Sequence, residues 1–148
     1  MKNISVVIPA FNEEGNVNEL ANQIDATFEN LKNYDYKIIF VENGSTDNTL
    51  AVARSYPDPR VRTLALPHVG LVEALNSGLA FCKGTFVARL DADDSATPDR
   101  LERQLPLLRA DPSLAVVDGH VRFHRTNGPV PGGMARYGAW VNSLHSGA

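Results

Sequence analysis

The 148-residue sequence predicts an α/β fold, a mostly parallel sheet with helices on both faces. Three observations point there. Apolar runs rich in β-branched residues, such as ISVVIPA at 4–10, are continuous rather than alternating, as in strands covered on both sides. Between such runs lie segments whose apolar residues recur three or four apart, the spacing of a helix with one face on a sheet. The two kinds of segment alternate along the chain, and alternation of that kind builds a parallel sheet.

The elements follow in order. Residues 4–10 form the first expected strand. From Val17 to Leu31, the residues Val17, Leu20, Ala21, Ile24, Phe28 and Leu31 make one helical stripe. YKIIFVEN at 36–43 is the second strand. GSTDNTLAVARSY at 44–56 opens a helix with Ser45 or Thr46 as the expected N-cap, and Pro57 and Pro59 break the chain after it. VRTLAL at 61–66 is a short strand, and LVEALNSGLAFC at 71–82 is a helix that Gly84 would end. TFVARL at 85–90 is the fourth strand. Thr97 followed by Pro98 is a cap and first-turn signature for a helix reaching about Ala110. SLAVVDGHVRF at 113–123 is expected as a fifth strand. NGPVPGG at 127–133 reads as a loop or boundary. Beyond it Met134, Tyr137, Val141 and Leu144, with Trp140 beside them, suggest a short amphipathic helix.

Composition sets bounds. With 43% hydrophobic and 21% charged residues, the chain can fill one core. A formal net charge of -3 argues against a nucleic-acid-binding face. The single Cys82 excludes an internal disulfide and a Cys-rich zinc site, and is expected as a bland buried thiol. No segment reads as a signal peptide or a membrane span, so a soluble, cytoplasmic chain is expected.

In sheets of this type ligands bind beyond the carboxyl ends of the strands. Three of those ends carry acids or amides: PAFNEE, VENGSTDNT and LDADD. If 91–93 continues extended, Asp91 and Asp93 share a side while Ala92 faces away. Two such carboxylates suit one hard divalent cation, Mn²⁺ or Mg²⁺, finished by phosphate oxygens and water. Asp94 is expected to shape the loop, and an Asx-type turn ahead of Thr97 explains one of the aspartates without any ligand. Glu42 can accept from a base N–H or a ribose hydroxyl, and Phe11 can wall a flat ring. Asp47, at a helix start, is as well explained by dipole compensation, and Glu13 and Glu14 can be helix-start charges.

The motifs VVIPAFNEE, VENGSTDNT, GLVEALNSGL and ARLDADDSATPDRLERQ resemble, in order and spacing, those of the family 2 glycosyltransferases with the A-type nucleotide-sugar fold, over roughly residues 3–121. A lone D-x-D is weak, but four ordered motifs are not. The resemblance implies a Rossmann-like nucleotide-diphospho-sugar transferase half at 1–126, then a Gly/Pro-rich loop and the start of a truncated acceptor-side region at 127–148. It implies that Pro9, Ala10, Phe11 and Glu13 wrap the base and ribose, joined by Glu42, Asn43, Gly70, Asn76, Asp91 and Ala92. Asp91 and Asp93 are similar to the metal-binding pair. Glu42 and Asn43 stand where the family commonly has aspartates, and His68 stands where Asn is frequent and is read as a loop residue, with contact to the donor as the alternative.

The implied reaction is inverting transfer of a sugar from a nucleotide-diphosphate sugar, such as a UDP-sugar, to a glycan or lipid-linked acceptor. The implied setting is polysaccharide or glycolipid synthesis in the cytoplasm, at the inner face of a membrane. Inversion needs a general base. The acids after Asp93 and beyond its motif leave Asp118 as the weak candidate, since Asp111 reads as part of a turn. A donor-binding piece that transfers sugar poorly is therefore expected, with apolar side chains near Trp140 supporting self-association as a homodimer. The alternatives are a non-catalytic nucleotide and metal module, or a receiver or phosphatase-like Mg²⁺ domain. The latter usually places a Lys on a late strand, and no Lys follows Lys83.

Overall fold

The computed structural model describes residues 2–125 and 127–144. Met1, Thr126 and residues 145–148, which include part of the expected acceptor-side region, lie outside the described residues. The chain forms two compact units, Met1–Arg100 and Leu101–Ala148.

The first unit is built on four strands, β1 (Lys2–Ala10), β2 (Tyr34–Asn43), β3 (Val61–Leu66) and β4 (Phe86–Arg89). They lie in the order β3-β2-β1-β4, all parallel. The register pairs Ala10 with Glu42 and Asn43 with Leu66, so the carboxyl ends of β1, β2 and β3 finish along one edge. Helices α1 (Val17–Glu29), α2 (Thr49–Ser55) and α3 (Leu71–Phe81) make the crossovers.

The two central strands are apolar because both their faces are covered. On one face, Phe28 of α1 stacks on Tyr36 with ring centroids 4.0 Å apart. On the other, Val7, Ile39 and Val41 form a core cluster with Ala74 of α3. Gly78 lets α3 press closer still. A Cβ there would stand 2.7 Å from methyl groups of both Val7 and Val41. Burial of Val17, Leu20, Ala21, Ile24 and Phe28 matches the predicted stripe of α1.

Several local expectations need correction. Helix α2 begins at Thr49 behind Asn48, not behind Ser45 or Thr46, whose polar groups are spent on Asn12. Helix α3 stops at Phe81, before Gly84, because Cys82 turns extended. Gly84 instead packs against the start of β1, its N–H donating to Ser5 Oγ at 3.0 Å. Cys82 is only half-buried, and its Sγ lies 3.2 Å from the Gly78 carbonyl. Partial burial still pushes its thiol pKa up.

The second unit holds most of α4 (Arg100–Ala110) and all of α5 (Gly132–Ser143). The turn at Thr97 comes earlier than the helix, with the Arg100 N–H donating to the Thr97 carbonyl at 3.0 Å. Among the described residues, 113–123 forms no strand. A strand needs a ladder partner, and here the Val121 backbone is claimed by a side chain. Asn142 of α5 accepts from the Val121 N–H and donates to its carbonyl, both at 2.8 Å. The predicted helix at the end of the chain is α5, but of its apolar stripe Met134, Tyr137 and Leu144 are exposed, as is Trp140 beside it, and only Val141 is half-buried. Its small Gly138 is what packs inward, against the Phe123 ring.

Candidate functional site

The loops after β1 and β2 are laced together by side chains bonding to backbone. Asn12 takes a left-handed conformation, φ 57°, which Asn tolerates better than most residues. Its N–H donates to Ser45 Oγ at 3.0 Å, and its Oδ1 accepts from the Thr46 N–H at 2.8 Å. Glu13 N–H donates to the hydroxyl of the fully buried Thr49 at 2.7 Å. Asp47 then accepts from the Thr49 N–H and hydroxyl, and from the Glu14 N–H at 3.3 Å. The Thr49 hydroxyl, first among these donors, holds the Asp47 carboxyl below its ordinary range. Glu14 completes the brace by accepting from the Asn48 N–H at 2.8 Å. Asp47 and Glu14 thus clamp loop to loop.

A second set of bonds ties β2 to the loop that leads from β3 to α3. Glu42 is buried, and its Oε1 accepts from the Ser45 N–H. Asn43 is buried too. Its side-chain Oδ1 accepts from the Val69 N–H at 2.9 Å, and its carbonyl accepts from His68 Nδ1 at 3.1 Å. The His68 ring leans on Phe11, with centroids 4.7 Å apart and planes tilted 46°. Gly44, at φ 74°, lies so close to this loop that a Cβ would fall 2.6 Å from the His68 backbone nitrogen.

The aspartates follow β4. The extended path expected for 91–93 is not observed, because the Asp94 N–H donates to the Asp91 carbonyl at 3.0 Å and closes a turn. Asp91 and Asp93 are therefore not placed side by side by strand alternation. Asp91 instead meets Arg89, accepting from Nε and Nη2 at 2.9 Å each. The carbonyl of Arg89 in turn accepts from Arg100 at 3.1 Å. Asp93 has no such bidentate partner among the described residues. With Asp94 and Ser95 it lines a small polar cleft against Asn16, Glu19 and Gln23. The Asp94 carboxyl is pushed up, first by burial and then by the charges of Asp93 and Asp91, against which Arg89 and Arg100 pull only partly.

That array tests the fit of a metal. Among the described residues no group of three His, Cys, Asp or Glu forms a closed metal cage. The donors present are hard carboxylate oxygens in an open turn, which suits Mn²⁺ or Mg²⁺ completed by ligands from outside the chain.

Of the other expected residues, Pro9 and Ala10 end β1 and are buried, and Ala92 is buried within the turn. Gly70 caps α3 with φ 85°. Asn76 lies on an exposed face of α3, two residues from both Ala74 and Gly78, which face the sheet, and is not gathered with the rest. Asp118 belongs to the second unit, in a stretch without helix or strand. Arg89, Asn12 and Ser45 were not foreseen. An arginine two residues before the first aspartate was the available signal for Arg89.

The chain matches the model for "Glycosyl transferase family 2" over residues 5–140. It belongs to glycosyl transferase family 2. Among its relatives, the chondroitin synthase of Pasteurella multocida is 34% identical over 119 residues, 77% of this chain and 12% of that protein. An undecaprenyl-phosphate 4-deoxy-4-formamido-L-arabinose transferase of Pseudomonas fluorescens is 36% identical over 104 residues, 68% of this chain and 30% of that protein. The chain thus spans less than a third of either relative. Among solved structures it resembles glucosyl-3-phosphoglycerate synthase from Mycobacterium tuberculosis, determined with Mn²⁺, UDP and glucosyl-3-phosphoglycerate. The TM-score is 0.57 at 28% identity, covering 72% of this chain and 39% of that one. This family 2 chain has the A-type transferase fold, and among its described residues no helix is long and apolar enough to cross a membrane.

Proposed function

We propose that this family 2 chain binds a nucleotide-diphosphate sugar across the carboxyl ends of β1, β2 and β4 and passes the sugar, with inversion, to an acceptor hydroxyl. The observation that carries the reading is the gathering of Asp91, Asp93 and Asp94 in the open turn beyond β4. A divalent cation bound there supplies Lewis-acid stabilisation of the departing diphosphate. Asp93 is the carboxylate most available to hold it, because Asp91 is shared with Arg89. Phe11, exposed beside the end of β1, offers an apolar wall to the base. Pro9 and Ala10 bring the chain to that wall, and Glu13 begins the turn beyond it. The donor-binding part is assigned to residues 1–126.

The fold relative solved with UDP and Mn²⁺ supports a UDP-sugar with Mn²⁺ as the donor pair. The chondroitin synthase and undecaprenyl-phosphate transferase relatives support a glycan or lipid-linked acceptor, and with it work at the cytoplasmic face of a membrane.

The test is calorimetric titration with UDP-sugars, with and without Mn²⁺, on the natural chain and on Asp93→Ala. Binding that requires Mn²⁺ and falls at least tenfold in the variant is expected. Equal affinity without metal, or no affinity for any nucleotide, refutes the reading.

A further inference from the structure

The base subsite of this chain departs from what the carboxylate at position 42 would suggest. Glu42 is 3% exposed, and its Oε1 is taken by the Ser45 N–H. A buried carboxylate with one oxygen already committed to its own backbone has less freedom to move toward a ligand. The neighbouring Asn43 is tied, through its side-chain Oδ1 and its carbonyl, to the loop carrying His68 and Val69.

Those bonds determine what His68 can offer. A carbonyl oxygen can only accept, so the Asn43 carbonyl places the proton of the neutral imidazole on Nδ1. Nε2 is then a bare acceptor, with no partner among the described residues. The ring is exposed at the edge where the strands end, and its orientation is held by Phe11 on one side and by the Asn43 bond on the other. Its backbone cannot drift toward β2, because Gly44 is already in contact there. A side chain fixed in rotamer, tautomer and backbone position is a preorganised reader rather than a loose loop residue.

We infer that His68 is the residue that reads the base: Nε2 accepts the ring imino N–H at the edge of the base while Phe11 walls its face. This rests on the nucleotide-sugar reading above. The chemistry selects bases with an imino N–H on their pairing edge, uracil at N3 or guanine at N1, over adenine and cytosine, which have none when neutral.

The experiment is titration of the purified chain, in Mn²⁺, with four probes: UDP, 3-methyl-UDP, GDP and 1-methyl-GDP. Methylation removes the N–H and nothing else of the donor pattern at that atom. The natural chain should bind UDP or GDP about tenfold more tightly than its methylated form, the scale of one good hydrogen bond in a site left unpaired without it. The preferred base names the donor class. His68→Phe keeps a ring against Phe11 but removes the acceptor, and should bind both members of the pair alike. His68→Gln, which can put an amide oxygen near the Nε2 position, should restore part of the discrimination. Discrimination that survives in His68→Phe assigns the reading elsewhere and overturns the inference. So does its absence in the natural chain when UDP still binds. Failure of all four probes to bind instead removes the parent reading, and this one with it.

Discussion

Gly44→Ala puts the site's construction under direct load. Two costs arise at that position. The first is conformational: at φ 74°, an L-residue with a Cβ loses about 1–2 kcal/mol against glycine. The second is steric. The new Cβ would sit 2.6 Å from the His68 nitrogen and 3.1 Å from its Cα and Cβ. Two of those atoms are backbone, so relief requires the whole loop at 67–70 to move away from β2. Overpacking of that kind costs about 1–3 kcal/mol. The loss should therefore total about 2–5 kcal/mol. With a urea slope of about 2 kcal/mol/M, the unfolding midpoint should drop by about 1–2.5 M. The same displacement would stretch the bonds from Asn43 to His68 and Val69, so nucleotide affinity should fall together with stability. Gly15→Ala is the control, since a methyl group added at Gly15 would have nothing within 4 Å and the residue has no positive φ. It should lie within about 0.5 kcal/mol of the natural chain. A Gly44→Ala midpoint no lower than that of Gly15→Ala would show that the loop slides freely, and the idea of a preorganised His68 would go with it.

Gly84→Ala should separate fold from site. A Cβ there meets only backbone, at 2.5 Å from Ser5 N, 2.8 Å from Phe86 O and 2.9 Å from Asn3 O. A stability loss of about 3 kcal/mol in urea unfolding is expected, with nucleotide affinity of the folded fraction retained, because these contacts lie at the amino end of β1. Arg89→Ala removes a half-exposed ion pair and should cost less than about 1 kcal/mol. It also releases Asp91, so Mn²⁺ titrated alone should bind more tightly; weaker binding would mean that Arg89 positions Asp91 for the metal rather than competing for it. At alkaline pH, Tyr36 contributes to the trend together with Tyr56, whose phenol is also raised by burial. Burial first, then its hydrogen bond to Asp25, raises the Tyr36 phenol above its ordinary 10.0. A raised folded-state value makes its contribution complete below pH 10 and lost as pH climbs beyond it. Tyr36→Phe should flatten that limb of a stability profile measured by thermal unfolding.

The parts of the fold legible in the sequence were those in which a residue reports its own burial. The run at 4–10 and the run at 36–43 are apolar without alternation, and both became central strands. The stripe from Val17 to Phe28 became the buried face of α1. Residues 113–123 have similar β-branched content, yet form no strand, because a ladder depends on a partner and Asn142 had taken the Val121 backbone. The N-cap beyond β2 was misplaced for the same reason. Ser45 and Thr46 are good capping residues, but Asn12 had claimed them from 33 and 34 positions away.

The site itself was legible by residue type and not by arrangement. Acids at strand ends can be read from a string of letters, since the position of a strand end is itself a local property. Which acid is left unbalanced cannot, because that depends on where the arginines go. Asp91 and Asp93 look equivalent in the motif, and an extended segment would make them so. The turn closed by the Asp94 N–H breaks the equivalence and delivers Asp91 to Arg89. What remains at Asp93 and Asp94 is negative charge without a full intramolecular partner, and Asp94 registers it as a carboxyl that gives up its proton reluctantly. On the donor-binding reading proposed above, a cation held there with the diphosphate would neutralise that charge, which would tie the charge balance of this turn to donor occupancy.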